Sequence, residues 1–262
     1  MYKCNPFTGV RQRRAPNQPV KKHVQGSLSG QLLARQLSSV SLAEHVMSLA
    51  YAQPAGLDLD SWTMELYDPN DSKRWTGMRA NSLTINGVAG GPVNYSLDLV
   101  GILEATATPP SLVATTPVGK AMLMQDTTFQ IDGGAYVIMS FELSLNNGLI
   151  IHHDNSIWPT VTAAGDRVWS LKFTVRKTAN TYDAKRRSST VSDQTFQIVL
   201  KGDHDGTGTN TYTTGTIDID RMNFLDAVDQ MNREGLVMAE VSYDILKPSS
   251  TDNDCDFTWA TV

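Results

Sequence analysis

The chain has 262 residues, a net charge of −5 and ordinary hydrophobic content, so it is neither disordered nor fibrous and can bury a substantial core in one large β domain or two small ones. The mild acidity argues against a dedicated nucleic-acid binder, which would be basic. No run reaches the length of a membrane span, no secretory pattern opens the chain, and two cysteines near opposite ends, Cys4 and Cys255, read as free cytosolic thiols rather than a disulfide framework.

Residues 1–19 lack periodicity and contain Pro6, Pro16 and Pro19, which reads as an extended N-terminal arm. No acidic residue precedes Glu44, whereas Lys3, Arg11, Arg13, Arg14, Lys21, Lys22 and Arg35 do. Val24, Leu28 and Leu32 indicate a weak strand over 24–33. Ser41 and Glu44 form a capping-box pair, and Leu42, Val46, Leu49 and Ala50 continue at helical spacing until Pro54. A lone amphipathic helix in a β protein covers an open sheet face or a barrel end.

Trp62, Met64 and Leu66 alternate with polar residues as a strand, and Asp68-Pro69-Asn70-Asp71 is a turn cluster. A strand over 75–85 ends at Asn86-Gly87, a hairpin signal, and the return strand carries Val93, Tyr95, Leu97 and Leu99 on one phase. Residues 104–120 are rich in Ala, Thr and Pro and read as a long functional or disordered loop. Phe129 and Ile131 mark a short strand before Asp132-Gly133-Gly134.

The clearest alternation follows. Val137, Met139, Phe141, Leu143 and Leu145 occupy one phase, and Asn146-Asn147-Gly148 breaks the run. Trp169, Leu171, Phe173 and Val175 repeat the pattern, so the two runs read as partners in one sheet. Asp98, Glu142 and Lys172 fall on the polar phase of their strands, a face toward a subunit interface or solvent.

Arg176, Lys177, Lys185, Arg186 and Arg187 make a basic exposed loop. Phe196, Ile198 and Leu200 form a strand, and a polar loop over 202–215 leads to Ile217 and Ile219. Asn223 is positioned to cap a short helix over 224–234, with Gly235 at its end. Val237, Ala239, Val241, Tyr243 and Ile245 give the last strand. The acidic tail, 249–262, carries Asp252, Asp254 and Asp256. The divisions are thus an arm at 1–19, a domain at 20–248 and a tail at 249–262. The basic residues Arg11, Arg13, Arg14, Lys21 and Lys22 and the three tail aspartates could pair between copies of the chain; the plainer alternative is two solvated termini.

No constellation points to catalysis, a cofactor or a metal. His152 and His153 are adjacent in an extended segment and point opposite ways, so they do not share an ion. Asp203-His204-Asp205-Gly206 resembles the start of a calcium loop, but Thr207 and Thr214 stand where ligands belong. There is no nucleophile elbow, phosphate-cradling loop or C-x-x-C pair. Trp62 and Trp169 fall on apolar strand phases and read as core. Trp158, before Pro159, is the tryptophan best placed for an exposed contact, as in a carbohydrate-binding sandwich.

Two stretches carry a family likeness. The residues from Gly77 through Ile85 and from Gly90 through Leu99, together with V-I-M-S-F-E-L-S-L-N-N-G from Val137 to Gly148, resemble tail tube proteins of long-tailed bacteriophages. The order of arm, strand, helix and strand upstream is similar too. The resemblance implies a mainly β fold, a sandwich or barrel-like domain with one flanking helix and extended arms. It implies a structural virion protein, not an enzyme, that is assembled in the host cytoplasm without a membrane. Hexameric rings would stack into a tube that passes double-stranded DNA without specific binding, in company with a tape measure protein and a tail terminator. A related tail or neck ring component is the neighbouring alternative. The two hairpin-like stretches, 81–101 and 136–175, are expected to form two facing sheets or one closed barrel.

Overall fold

A computed structural model of the chain describes residues 23–33, 36–37, 40–41, 46–48, 50–51, 59–66, 72–106, 121–154, 158–159, 161–163, 166–176, 193–202, 213–231, 237–246 and 255–261. They are mostly strand. β1 (Val24–Gln31), β2 (Gln36–Leu37) and β3 (Val40–Ser41) come first, then β4 (Trp62–Leu66), β5 (Lys73–Val88), β6 (Val93–Gly101) and β7 (Leu103–Thr106). A 3-10 turn (Met124–Asp126) leads into β8 (Thr128–Ile131), β9 (Gly134–Tyr136) and β10 (Ile138–Asn146). β11 (Ile150–His152) and β12 (Val161–Ala163) form a small hairpin before β13 (Val168–Arg176). β14 (Gln194–Lys201), β15 (Thr213–Met231), β16 (Val237–Ile245) and β17 (Asp256–Thr261) complete the order.

Antiparallel pairing orders the main sheet β1-β6-β5-β10-β13-β16-β15-β14-β8-β9, with β17 also on β15, and β4 and β7 on the first half of β5. β15 turns this one sheet into two layers. Its residues 213–218 lie between β14 and β17, whereas residues 222–231 pair with β16. Register shifts opposite Gln194–Phe196 and at Phe224–Asp226 flank the change of partners, where bulges bend a strand. The β8–β14–β15–β17 layer then lies over the β1-to-β16 layer. Phe129 of β8 meets Phe141 of β10 edge-on at 5.3 Å, and Phe173 of β13 stacks on Phe196 of β14 at 5.7 Å. Trp169 of β13 lies 5.9 Å from Phe257 of β17. The fold is mainly β and sandwich-like, as the alternation predicts.

The two alternating runs are partners, with Phe141 opposite Phe173, Glu142 opposite Lys172 and Leu145 opposite Trp169. The other hairpin lies beside them rather than facing them, because β10 pairs with β5 along Leu143–Ile85. Of the two arrangements expected, facing sheets or one closed barrel, the first is corrected for these hairpins: both belong to one layer, side by side in a single sheet, and the second layer comes from β8, β14, β15 and β17.

Two local signals resolve differently in the structure. A register shift between Ile138 and Ser140 interrupts the first alternating run. Past it, Ile138 is buried while Val137 and Met139, on the apolar phase by sequence, are 81 % and 38 % exposed. The turn expected at Asn86-Gly87 lies further on. Asn86 and Gly87 still pair with Asn94 and Val93, and the chain reverses around Gly90, whose φ is 80°. Gly87 is required by packing instead, since a Cβ there would sit 2.8 Å from the Phe141 ring.

The helix expected after Ser41 is present in part within the described residues. Residues 46–48 and 50 are helical, and the Tyr51 amide donates to the Met47 carbonyl. Val46, Met47, Ala50 and Tyr51 are buried, and Tyr51 meets Trp169 and Phe257 edge-on. Glu44 of the capping box lies outside the described residues. The second helix, expected over 224–234, is not formed: residues 224–231 continue β15 against β16. The helix-like spacing of Phe224, Leu225, Val228 and Met231 is overridden by pairing with nine consecutive residues of a strong strand.

Asn147, in the break after the first alternating run, ties the helix to the sheet. Its buried side-chain amide donates to the Ala50 and Ala80 carbonyls, each at 2.9 Å. Asn147→Ala removes both bonds at a site closed to water and is expected to lower unfolding stability by roughly 2–4 kcal/mol in chemical denaturation.

Candidate functional site: the polar face of the sheet

Six strands of the first layer, β6, β5, β10, β13, β16 and the end of β15, bury one face in the core and turn the other outward, and β1, exposed on both faces, extends the layer as a seventh. Register aligns the outward residues in rows. One row runs Gln31, Asn94, Asn86, Glu142, Lys172, Ser242, Asp226, and the next runs Ser29, Ser96, Thr84, Ser144, Ser170, Asp244, Asn223. A third joins Ser27, Asp98, Ser82, Asn146 and Val168, and a fourth joins Val88, Ser140, Thr174, Glu240 and Val228. The period of two writes this face directly into the sequence, because every second residue must leave the core.

The face is hydroxyl- and amide-rich with a carboxylate excess: Asp98, Glu142, Asp226, Glu240 and Asp244 share these rows with the cation Lys172. The Ser82 hydroxyl donates to Asp98 at 2.8 Å, Thr84 and Ser144 hydroxyls lie 3.2 Å apart, and the Gln230 amide donates to Glu240 at 2.6 Å. A shallow depression of about 480 Å³ opens between Asn86, Ser140, Glu142, Lys172, Thr174 and Glu240. These groups hold one another across the strands. No group of three or more His, Cys, Asp or Glu able to hold a metal occurs among the described residues.

Asp98, Glu142 and Lys172 thus lie on a single face, with Glu142 and Lys172 directly opposed. Sequence reading missed Asp226, which it placed on a helix, and it did not single out Glu240 or Asp244, although their alternation in β16 was visible. Of the residues assigned to contacts between rings, Arg11, Arg13, Arg14, Lys21, Lys22, Asp252 and Asp254 lie outside the described residues. Asp256 opens β17 opposite Asp218. The stretch set apart as a tail therefore ends in a strand of the sheet, with Cys255 buried beside it.

Trp158 lies at an apolar groove of about 940 Å³ beneath β1, which Leu28, Met64, Trp75 and Met78 also line. The Trp75 indole N–H donates to Glu104 at 3.2 Å. Trp169 is buried as expected, and Trp62 packs against the core.

The family model described as phage tail tube protein matches residues 6–245. The chain belongs to the phage tail tube protein family. Both stretches that carry the likeness, together with the whole polar face, fall inside the matched region. No curated protein matches the chain. Membership makes this tail tube protein a structural component of the virion that assembles into a multimeric tube. No helix among the described residues is long and apolar enough to cross a membrane.

The Glu142–Lys172 pair can be measured in the tail tube protein directly. Glu142→Lys sets two ammonium groups opposite each other and is expected to cost up to about 1 kcal/mol, with Lys172→Glu in the same chain recovering most of it. A double-mutant cycle by chemical denaturation reads the coupling.

Proposed function

We propose that this tail tube protein forms rings, six subunits in each, that stack into a conduit for double-stranded DNA, with the polar face of the seven-stranded layer turned to the lumen. The observation that carries the reading is the carboxylate excess on a broad, hydroxylated, continuous face in a member of this family. Asp98, Glu142, Asp226, Glu240 and Asp244 would repel the phosphate backbone, so that DNA slides without being held. A basic wall would exchange counterions with DNA and retain it.

The sheet edges support ring closure. Among the described residues, the outer edge of β1 has no partner strand, nor does the outer edge of β15 beyond Met222. Such edges present unpaired N–H and C=O groups that pair readily with another chain. Antiparallel steps from β1 through β6, β5, β10, β13 and β16 to β15 leave the two edge strands running the same way. A neighbour related by rotation about the tube axis would therefore add its edge in parallel.

In this reading the basic arm, residues 1–19, and the acidic C-terminal segment bridge successive rings; the 101–120 segment is the other candidate bridge. A tape measure protein within the tube and a terminator at its end are the further partners, and assembly takes place in the host cytoplasm. No enzymatic step is required of the subunit. A ring at the neck would share the fold but not the copy number. A carbohydrate-binding role would use Trp158 and Trp75, yet these tryptophans line the groove under β1 and not the carboxylate rows.

Electron microscopy of the purified chain is expected to show rings and hollow tubes. Removal of residues 1–19 should leave a folded subunit, with an unchanged circular dichroism spectrum, that no longer elongates. Monomers alone at high concentration would count against the tube reading, and full-length tubes from the truncated chain against the arm as bridge.

A further inference from the structure

The dipeptide Asn-Gly occurs twice in the chain, at Asn86-Gly87 and at Asn147-Gly148. It is the pair in which an asparagine loses its side-chain amide most readily, because glycine has no side chain to keep its own nitrogen away from the neighbouring one. The glycine N–H gives up its proton to base, and the nitrogen attacks Cγ of the asparagine. The Cγ–Nδ2 bond breaks and ammonia leaves. Water then opens the cyclic imide at either carbonyl, giving aspartate or the isomer whose backbone runs through the side chain. Water is the one co-reactant, and nothing is oxidised or reduced.

The fold places one of these pairs where both residues are needed. Asn147 is 3 % exposed, and its side-chain amide donates to the Ala50 and Ala80 carbonyls. Gly148 has a φ of 54°, a left-handed conformation that other residues rarely adopt. The labile pair is therefore built into the tie between helix and sheet. Asn86-Gly87 lies instead within β5, where Gly87 pairs with Val93 of β6 on one side and Phe141 of β10 on the other.

In the break after β10, each group that the reaction needs is engaged elsewhere. The nucleophile, the Gly148 N–H, donates to Asn146 Oδ1 at 2.8 Å. An amide proton held by an acceptor is not free to pass to base. The leaving nitrogen, Asn147 Nδ2, is held by two carbonyls at 2.9 Å. Residues on both sides are anchored to Asn81: the Asn147 amide donates to its carbonyl at 2.8 Å, and the Leu149 amide donates to its Oδ1 at 2.9 Å. Ring closure needs nitrogen and Cγ to meet in one orientation, and a network that fixes both withholds it.

We propose that Asn147 is a site of spontaneous deamidation, closed in the folded subunit and open whenever residues 146–148 come away from the sheet, and that Asn146 is the positioning residue that keeps it closed. The change runs one way. An aspartate at this position would turn a carboxylate toward two carbonyl oxygens that had lost their donors, in a site closed to water. The isomer adds a backbone atom at the break as well. A chain that has passed through the reaction cannot remake the tie, so a subunit that stays open loses the means to complete its core.

The test follows the full-length chain by peptide mass spectrometry during incubation at alkaline pH, where the glycine amide loses its proton more readily. In the folded wild type, Asn147 is expected to convert at least about tenfold more slowly than in the same chain held in denaturant. Asn146→Ala and Asn146→Val each remove the acceptor from an exposed position and are expected to fold. Either should speed conversion at Asn147 about tenfold while Asn86 keeps its wild-type rate. Asn146→Asp retains an acceptor oxygen and should restore protection. Asn86 separates this from general unfolding, which would speed both sites together. Equal rates at Asn147 in folded and unfolded wild type would overturn the closed site, whether or not the variants fold. Folded acceptor-free variants that keep the wild-type rate, or that speed both asparagines alike, would overturn the role of Asn146.

Discussion

The register between β10 and β13 governs what this protein shows to its surroundings. Phe141 opposite Phe173, Leu143 opposite Leu171 and Leu145 opposite Trp169 commit one phase to the core. The other phase, Ser140, Glu142, Ser144 and Asn146, is thereby committed outward together with Thr174, Lys172 and Ser170. A slip by one residue would exchange the two sets entirely. Both neighbours of the pair inherit the choice, since β5 takes its register from β10 and β16 takes its register from β13. The polar face is the necessary counterpart of the apolar one.

The second layer holds that register in place. Phe173 lies stacked between Phe196 and Tyr243, at 5.7 and 5.6 Å, so β14 and β16 grip the same ring from two directions. The Tyr243 hydroxyl donates to buried Gln194, whose amide donates to Asp132 in the β8–β9 turn. This chain of bonds satisfies polar groups that the aromatic core would otherwise strand. It also ties β14 and the β8–β9 turn to β16 of the first layer. Asn147 does the same at the other end, where the helix closes the core over Trp169. The two layers are thus held together by aromatic packing with a few satisfied polar anchors.

Much of this was legible locally. The strands at β5, β6, β10, β13, β14 and β16 follow from alternation, and Asp98, Glu142 and Lys172 could be assigned to a polar phase from their neighbours alone. Asp226 could not. Phe224, Leu225, Val228 and Met231 match a helical stripe, Asn223 is a good cap and Gly235 a good terminator. Nothing nearby reports that Val237–Ile245 will claim the segment as a partner strand. Val137 and Met139 were misassigned for a related reason: a bulge leaves no mark on the alternation, because it changes which residue faces the core without changing the residues. Asn-Gly at residues 86–87 misled because a glycine demanded by the Phe141 ring looks the same in sequence as one demanded by a turn.

The sequence by itself determined the class of fold, the position of most strands, the existence of a wet face and the family. These follow from period-two alternation and short-range turn chemistry, which act within a few residues. Tertiary structure decided how β15 divides itself between two layers, that both hairpins share one layer, where the register shifts, and hence which carboxylates stand together and which apolar residues stand out at the ladder's ends. Those outcomes depend on pairing between segments far apart in the chain. The free energy of a long strand partner exceeds the few tenths of a kcal/mol by which a local helical preference resists it.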